Sequence, residues 1–283
     1  MQNMTSYKGF NVDSGHGIET ETHDGYCVVG GQALSGIIVL CDHANNALPE
    51  GYGRLGLSED QLRRHIAYDI GAAAVTRQVA DELSAPAVLT RYSRLLIDPN
   101  RGEDDPTMIM RLSDGAIIPG NRQLELEERK KRISLYYRPY HNAISQVIDR
   151  CLAAGYPPVL LSIHSFTESW KETARPWHVG ILWDADERLA QPLLDHFYAS
   201  SDLIVGNNKP YTGRLPGDTM WRHGTQRGLA HAIVEIRQDL IGDIDGQAEW
   251  AQRIVAAMRS IFSDPANVSA FRTIGPADAV SLA

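Results

Sequence analysis

Two short, almost wholly apolar runs constrain this chain more than anything else in it: residues 36–41 (GIIVLC) and 158–163 (PVLLSI). A strand with one face in water alternates apolar and polar side chains. These runs do not alternate, so each is expected to be a strand buried on both faces. Strands of that kind occur where helices cover a parallel or mixed sheet on both sides.

The intervening segments fit this picture. Residues 58–84 read as a helix: Ser58 with Gln61 three residues on makes a capping box, and Leu62, Ile66 and Ile70 recur at helical spacing. Residues 87–90 and 95–98 read as strands. Residues 102–120 form a polar, Pro/Gly/Asp-bearing loop, long enough to expect an active-site role and control of pocket depth. Residues 123–154 read as a helix kinked or broken at Pro139, with Ile144, Val147, Ile148, Cys151 and Leu152 as its apolar stripe. Strands follow at 178–183, 203–205 and 230–237, with helices at 187–199 and 247–261. The expectation is a single α/β domain over residues 26–263, a three-layer sandwich around a mixed, largely parallel sheet. Residues 1–25 would be an N-terminal arm and 264–283 a C-terminal tail.

Composition narrows the function. The 283 residues carry a formal net charge of -8, without the basic surplus of a nucleic-acid binder. The basic run Arg129-Lys130-Lys131-Arg132 follows Glu125, Glu127 and Glu128 and reads as a solvated helix face. No apolar run is long enough to cross a bilayer, and residues 1–25 lack the pattern of a secretory signal. Cys27, Cys41 and Cys151 are scattered without CxxC spacing, and Cys41 and Cys151 sit in apolar segments that suit buried thiols, so a reducing, cytoplasmic setting is expected. A small-molecule substrate is expected, with neither nucleic acid nor membrane as partner.

In open α/β sheets, ligands bind beyond the carboxyl ends of the strands. The first strand runs into Asp42-His43-Ala44-Asn45-Asn46, and the segment ending at Asp98 into Pro99-Asn100-Arg101. The second apolar run delivers His164-Ser165, and the 230–237 strand carries Glu235 near its end. Two imidazoles, a carboxylate and an arginine brought to one sheet edge suit metal-assisted hydrolysis. Imidazoles bind the metal, the acid moves a proton, and the arginine holds a carboxylate or an oxyanion.

These segments carry a resemblance. Residues 41–46 (CDHANN), 93–101 (SRLLIDPNR), 162–167 (SIHSFT) and 235–240 (EIRQDL) resemble the N-formylglutamate amidohydrolase family, as do Asn208-Lys209-Pro210-Tyr211 and His223-Gly224, in the family's order. That family is similar in fold to zinc carboxypeptidases and aspartoacylases. The resemblance implies a zinc-dependent amidohydrolase removing a formyl or related N-acyl group from glutamate or a similar acidic amino acid. It implies His43 and His164 as zinc ligands, Asn100 and Arg101 as holders of a substrate carboxylate, and Glu235 as general base. At His43-x-x-Asn46, an asparagine stands where the wider superfamily has a ligating glutamate. Asn46 is the expected third ligand, with Asp42 or Asp69 as alternatives. Arg94 is expected to assist in substrate contact, and Tyr211 and His223 to line the pocket. Carboxypeptidase-like or bulkier N-acyl deacylation, and metal-free binding of small acids, are the other readings.

Overall fold

The computed structural model describes residues 19–22, 25–31, 36–272 and 275. Eight strands form one mixed sheet: β1 (Glu19–Thr22), β2 (Tyr26–Gly30), β3 (Ile37–Cys41), β4 (Pro86–Thr90), β5 (Val159–Phe166), β6 (Val179–Leu182), β7 (Val205–Asn207) and β8 (His231–Arg237). Their spatial order is β1-β2-β4-β3-β5-β8-β6-β7. The central four, β4-β3-β5-β8, are parallel. Antiparallel β2 flanks them on one side and antiparallel β6 on the other.

Among the described residues, α1 (Glu59–Leu62), α2 (Ala72–Glu82), α3 (Leu126–Arg132), α4 (Arg138–Ala153), α5 (Ala190–Tyr198) and α6 (Thr219–His223) lie between strands, and α7 (Ile244–Ser263) and α8 (Pro265–Phe271) follow the last one. Successive strand residues point to opposite faces, so the apolar runs feed two cores. Val39, Leu161 and Val234 pack with α2, α5, α7 and α8 on one face. Ile38, Leu40, Leu160 and Ile233 pack with α4 and α6 on the other. Each buried Val, Leu or Ile contributes about 1.5–3 kcal/mol, against about 0–1 kcal/mol for an exposed ion pair, so burial binds the layers together. No helix of the described residues is long and apolar enough to cross a membrane.

Several segments depart from the sequence reading. The 58–84 helix is broken: the Ser58/Gln61 capping box forms, but α1 ends at Leu62 and α2 starts only at Ala72. Gly71 precedes α2 at φ 79°, and a Cβ there would lie 2.2 Å from the Ile241 carbonyl oxygen, so the chain turns tightly. Residues 95–98 are not a strand, because both ladder positions beside β4 are taken by β2 and β3. Leu95, Leu96 and Ile97 instead bury themselves in satellite clusters beneath the loops. The 102–120 loop contains a hairpin, Leu112–Ser113 against Ala116–Ile117, turned by Asp114 and Gly115 at φ 40° and 75°.

The long helix at 123–154 is α3 and α4 joined by a π-type turn over Ile133–Tyr137, which ends as Pro139 enters the first turn of α4. The expected N-terminal arm contains β1, which pairs with β2, a strand the apolar pattern did not single out. The expected C-terminal tail begins with α8, whose Phe271 is buried against Phe262. Residues 1–18, 23–24, 273–274 and 276–283 of the arm and tail lie outside the described residues.

Candidate active site

The carboxyl edge of the central strands gathers the polar residues. His43 follows β3, and its ring lies edge-on to that of His164 on β5, centroids 4.9 Å apart. Their Nδ1 atoms converge on one oxygen, Asp69 Oδ2, at 3.3 Å from His43 and 2.8 Å from His164. Asp69 sits in the turn just before Gly71, and its backbone amide donates to the His43 carbonyl at 2.9 Å. The three residues are buried, and one ligand atom from each lies within 4.8 Å of the others. An oxygen facing two imidazole nitrogens is satisfied either by protons on those nitrogens or by a cation shared among all three.

Each imidazole is held from behind. His43 Nε2 lies 2.8 Å from Asp98 Oδ1, and His164 Nε2 lies 3.0 Å from Asp42 Oδ2. Carboxylates only accept, so Nε2 of each ring carries a proton and Nδ1 is the atom offered to the cluster. A carboxylate behind the imidazole orients the ring and raises its basicity, the arrangement found around metal-binding histidines. The carboxylates are anchored in turn. Tyr140 Oη and Thr219 Oγ1 donate to Asp42 Oδ1 at 2.9 and 2.6 Å. Burial works to raise the Asp42 carboxyl, but the His164 imidazole outweighs it and holds the group at about 2. Arg94 Nε and Nη2 donate to Asp98 Oδ2 at 3.0 and 2.6 Å.

Glu235 on β8 is the other chemical group at this edge. It is 7% exposed, and its Oε2 has no hydrogen-bond partner among the described residues. Burial pushes its carboxyl up to about 7, with the nearby His164 opposing. A buried acid with an unpaired oxygen, poised near neutrality, suits proton transfer. Arg237, two residues further along β8, is engaged away from Glu235: its Nε bonds Asp239 Oδ1 at 2.7 Å.

A cavity of about 620 Å³ opens over the cluster and is lined by His43, Asp69, His164 and Glu235. Arg94, Asn100, Arg101 and Tyr211 line it too. Arg94 is committed to Asp98 by two nitrogens, leaving Nη1 3.3 Å from His43 Nδ1. Asn100 Oδ1 accepts from the Thr219 amide at 3.1 Å, which leaves its Nδ2 for a ligand. The Arg101 carbonyl accepts from Tyr137 Oη at 2.8 Å. No hydrogen bond or ion pair from its guanidinium to the described residues competes with a ligand.

Two expected site residues are elsewhere. Asn46 is not in the cluster: its Nδ2 donates to the Leu62 carbonyl at 2.9 Å, tying the His43 loop to the end of α1. Asp69, one of the acids considered in its place, occupies the third position. His223 does not line the cavity but is buried behind it, its Nε2 2.9 Å from His141 Nδ1. His141 Nε2 in turn lies 3.1 Å from the Pro99 carbonyl, so the pair braces the segment that presents Asn100 and Arg101. The 102–120 loop does not line the cavity either. Its outer wall comes from Lys209, Pro210, Thr212 and Leu215 and from His65 and Trp170.

Of the residues marked in the sequence, His43, His164, Glu235, Asn100, Arg101, Arg94 and Tyr211 line the cavity. Nothing in the sequence signalled the backing roles of Asp42 and Asp98. For Asp69 one local signal existed, an acid two residues before a glycine inside an otherwise helical pattern.

The fold is a three-layer α/β sandwich with a buried His-Asp-His cluster at the carboxyl edge of its central strands. The sequence matches the N-formylglutamate amidohydrolase family over residues 35–242. The chain belongs to that family of amidohydrolases. A solved structure of gene product Atu2144 from Agrobacterium tumefaciens is 35% identical, covers 84% of this chain and 95% of its own, and superposes with a TM-score of 0.79. The N-formylglutamate amidohydrolase from Ralstonia eutropha JMP134 is 19% identical and shares the fold, with a TM-score of 0.66 over 87% of this chain and 98% of its own. No curated protein matches the sequence.

Proposed function

We propose that this chain is a metal-dependent deformylase acting on N-formylglutamate or a closely similar N-acylated acidic amino acid, with zinc as the metal. The observation that carries the reading is the convergence of His43 Nδ1, His164 Nδ1 and Asp69 Oδ2 beside the unpaired Oε2 of Glu235. Two imidazoles and one carboxylate, each imidazole backed by a carboxylate, are a donor set that fits zinc and accepts other first-row divalent metals. His43, His164 and Asp69 would hold the ion. When bound, it would lower the pKa of water and polarise the acyl carbonyl.

The chain's own groups supply the rest. Arg101 and the Asn100 amide hold a substrate carboxylate, in the charge-assisted geometry arginine favours. That places the acyl nitrogen over the cluster. Glu235 takes the proton of the attacking water through Oε2 and delivers it to the leaving amine. Tyr211 and Arg94 Nη1 are donors to the oxygen that becomes negative as the carbonyl is attacked. The free amino acid and formate leave through the open side of the cavity.

One observation favours a second reading of the substrate. The cavity of about 620 Å³ is in the range that holds drug-sized ligands, so a bulkier N-acyl group would also enter. The deciding experiment couples elemental analysis of the purified protein to turnover of N-formyl, N-acetyl and dipeptide substrates. About one equivalent of transition metal with formate release from N-formylglutamate is the expected result. Protein that holds no such metal and takes none up on reconstitution would instead be a non-catalytic binder of small acids.

A further inference from the structure

Tyr211 and Arg175 meet at the rim of the cavity. Arg175 Nη1 donates to the Tyr211 oxygen at 3.0 Å and to Thr167 Oγ1 at 3.1 Å. The guanidinium lies over three rings, 5.0 Å from the centroid of Tyr211, 5.5 Å from Trp170 and 6.0 Å from Phe166. No carboxylate among the described residues pairs with it. Arginines near a surface commonly find an acid. This one is caged by arenes and neutral oxygens, so its charge is not cancelled locally.

The cage has a consequence for the phenol. The Tyr211 oxygen accepts from Arg175, so its own proton is free for a different acceptor. Tyr211 lines the cavity, as do Glu235, Asp69 and Arg94. Its titration responds to the charges of Glu235 and Asp69 as well as Arg175, and that of Arg94 responds to Tyr211. The phenol therefore bonds the caged cation and shares one cavity with the acids Glu235 and Asp69. Burial first, and Glu235 next, raise its pKa, so it remains a donor at neutral pH.

Resting on the hydrolytic reading above, we propose that Arg175 is the positioning residue for Tyr211. It binds the phenol oxygen from outside and directs the O–H to the acyl oxygen, which gains charge as the amide is attacked. A donor aimed at a developing oxyanion acts mainly in the transition state, and a cation bonded behind the donor strengthens it. Neither the apolar pattern nor the family-like segments of the sequence pointed to Arg175.

The test is a double-variant cycle of Arg175→Met and Tyr211→Phe on N-formylglutamate turnover. It runs beside an NMR titration of Tyr211, labelled at Cζ, in the protein as purified. Losing one oxyanion donor costs roughly 10²-fold or more in kcat, so Tyr211→Phe is expected in that range and Arg175→Met at about tenfold, with KM little changed. Arg175→Met is expected to cost nothing further in the Tyr211→Phe background and to move the Tyr211 titration upward. Equal losses in both backgrounds, a loss confined to KM, or an unmoved Tyr211 titration would overturn the proposal. If Arg175→Met does not fold, Arg175→Gln, which keeps a polar side chain but removes the charge, replaces it under the same criteria. If wild type turns over no N-acyl amino acid, the functional reading fails by itself, and the titration still decides whether Arg175 controls the phenol.

Discussion

His164 and Glu235 are register partners on the adjacent parallel strands β5 and β8, so their side chains rise from the same face of the sheet. One is a cluster ligand candidate backed by Asp42, the other an acid whose Oε2 is unpaired. Parallel pairing brings together residues 71 positions apart and sets the acid proposed for proton transfer beside the candidate cation site.

Glu235→Gln keeps the shape of the side chain and removes its basicity. Turnover of N-formylglutamate is expected to fall by roughly 10²–10⁴-fold, with metal content unchanged. Stability should hold or rise slightly, because a buried unpaired acid is replaced by a neutral amide. Steady-state kinetics with elemental analysis and a thermal melt checks all three, and near-normal turnover would remove Glu235 from the mechanism.

Asp69 and Asn46 separate the two readings of the third ligand. Asp69→Ala is expected to abolish stoichiometric metal binding, whereas Asn46→Ala should retain it and lose only the bond to the Leu62 carbonyl. Asp98→Asn, which weakens the group behind His43, should lower metal affinity by roughly 10–100-fold. Competition with a chromophoric chelator measures each. Retention of metal by Asp69→Ala would return the third position to another residue.

Arg101→Ala removes the guanidinium assigned to the substrate carboxylate. A hydrogen bond to a charged group is worth about 1.5–3 kcal/mol, so kcat/KM should fall by roughly 10–100-fold, mostly through KM. The loss should shrink for an N-formyl amino acid amide, which lacks the α-carboxylate. An equal loss on both substrates argues against a carboxylate contact.

His141 and His223 predict a pH dependence of stability. Burial first, then the Arg222 charge, lowers His141 to about 3, and burial with the charges of His141 and Arg222 holds His223 well below its ordinary value. An unfolded histidine titrates near 6.5. Between about pH 6.5 and pH 3 the unfolded chain therefore binds protons that the folded chain does not. The stability from this pair is fully present above about pH 6.5 and is lost as the pH falls toward 3, at up to about 1.4 kcal/mol per pH unit for each group. His223→Gln keeps a donor toward His141 and should flatten the acid slope by about one proton's worth in urea melts across that range. An unchanged slope would mean that His223 is protonated in the folded state.

The local pattern of the chain was enough to place β3, β5 and β8, because strands buried on both faces are mostly apolar and show as near-continuous runs. It was also enough to mark the polar residues at their carboxyl ends, His43, His164 and Glu235, since a charged or imidazole group beside such a run needs a reason to be there. Asp69, Asp42 and Asp98 took their roles only in three dimensions. Asp69 lies 26 residues from His43 and 95 from His164, and Asp98 lies 55 from His43. Nothing in the residues around each acid encodes which imidazole it meets, and that pairing is decided by sheet order and by where the chain turns. The expected helix is interrupted between Leu62 and Ala72, and Asp69 enters the cluster from that interruption, while Asn46, at the favoured motif spacing, is drawn away by the Leu62 carbonyl. Periodicity is a local property of a sequence, whereas the convergence of side chains depends on contacts between distant parts of it.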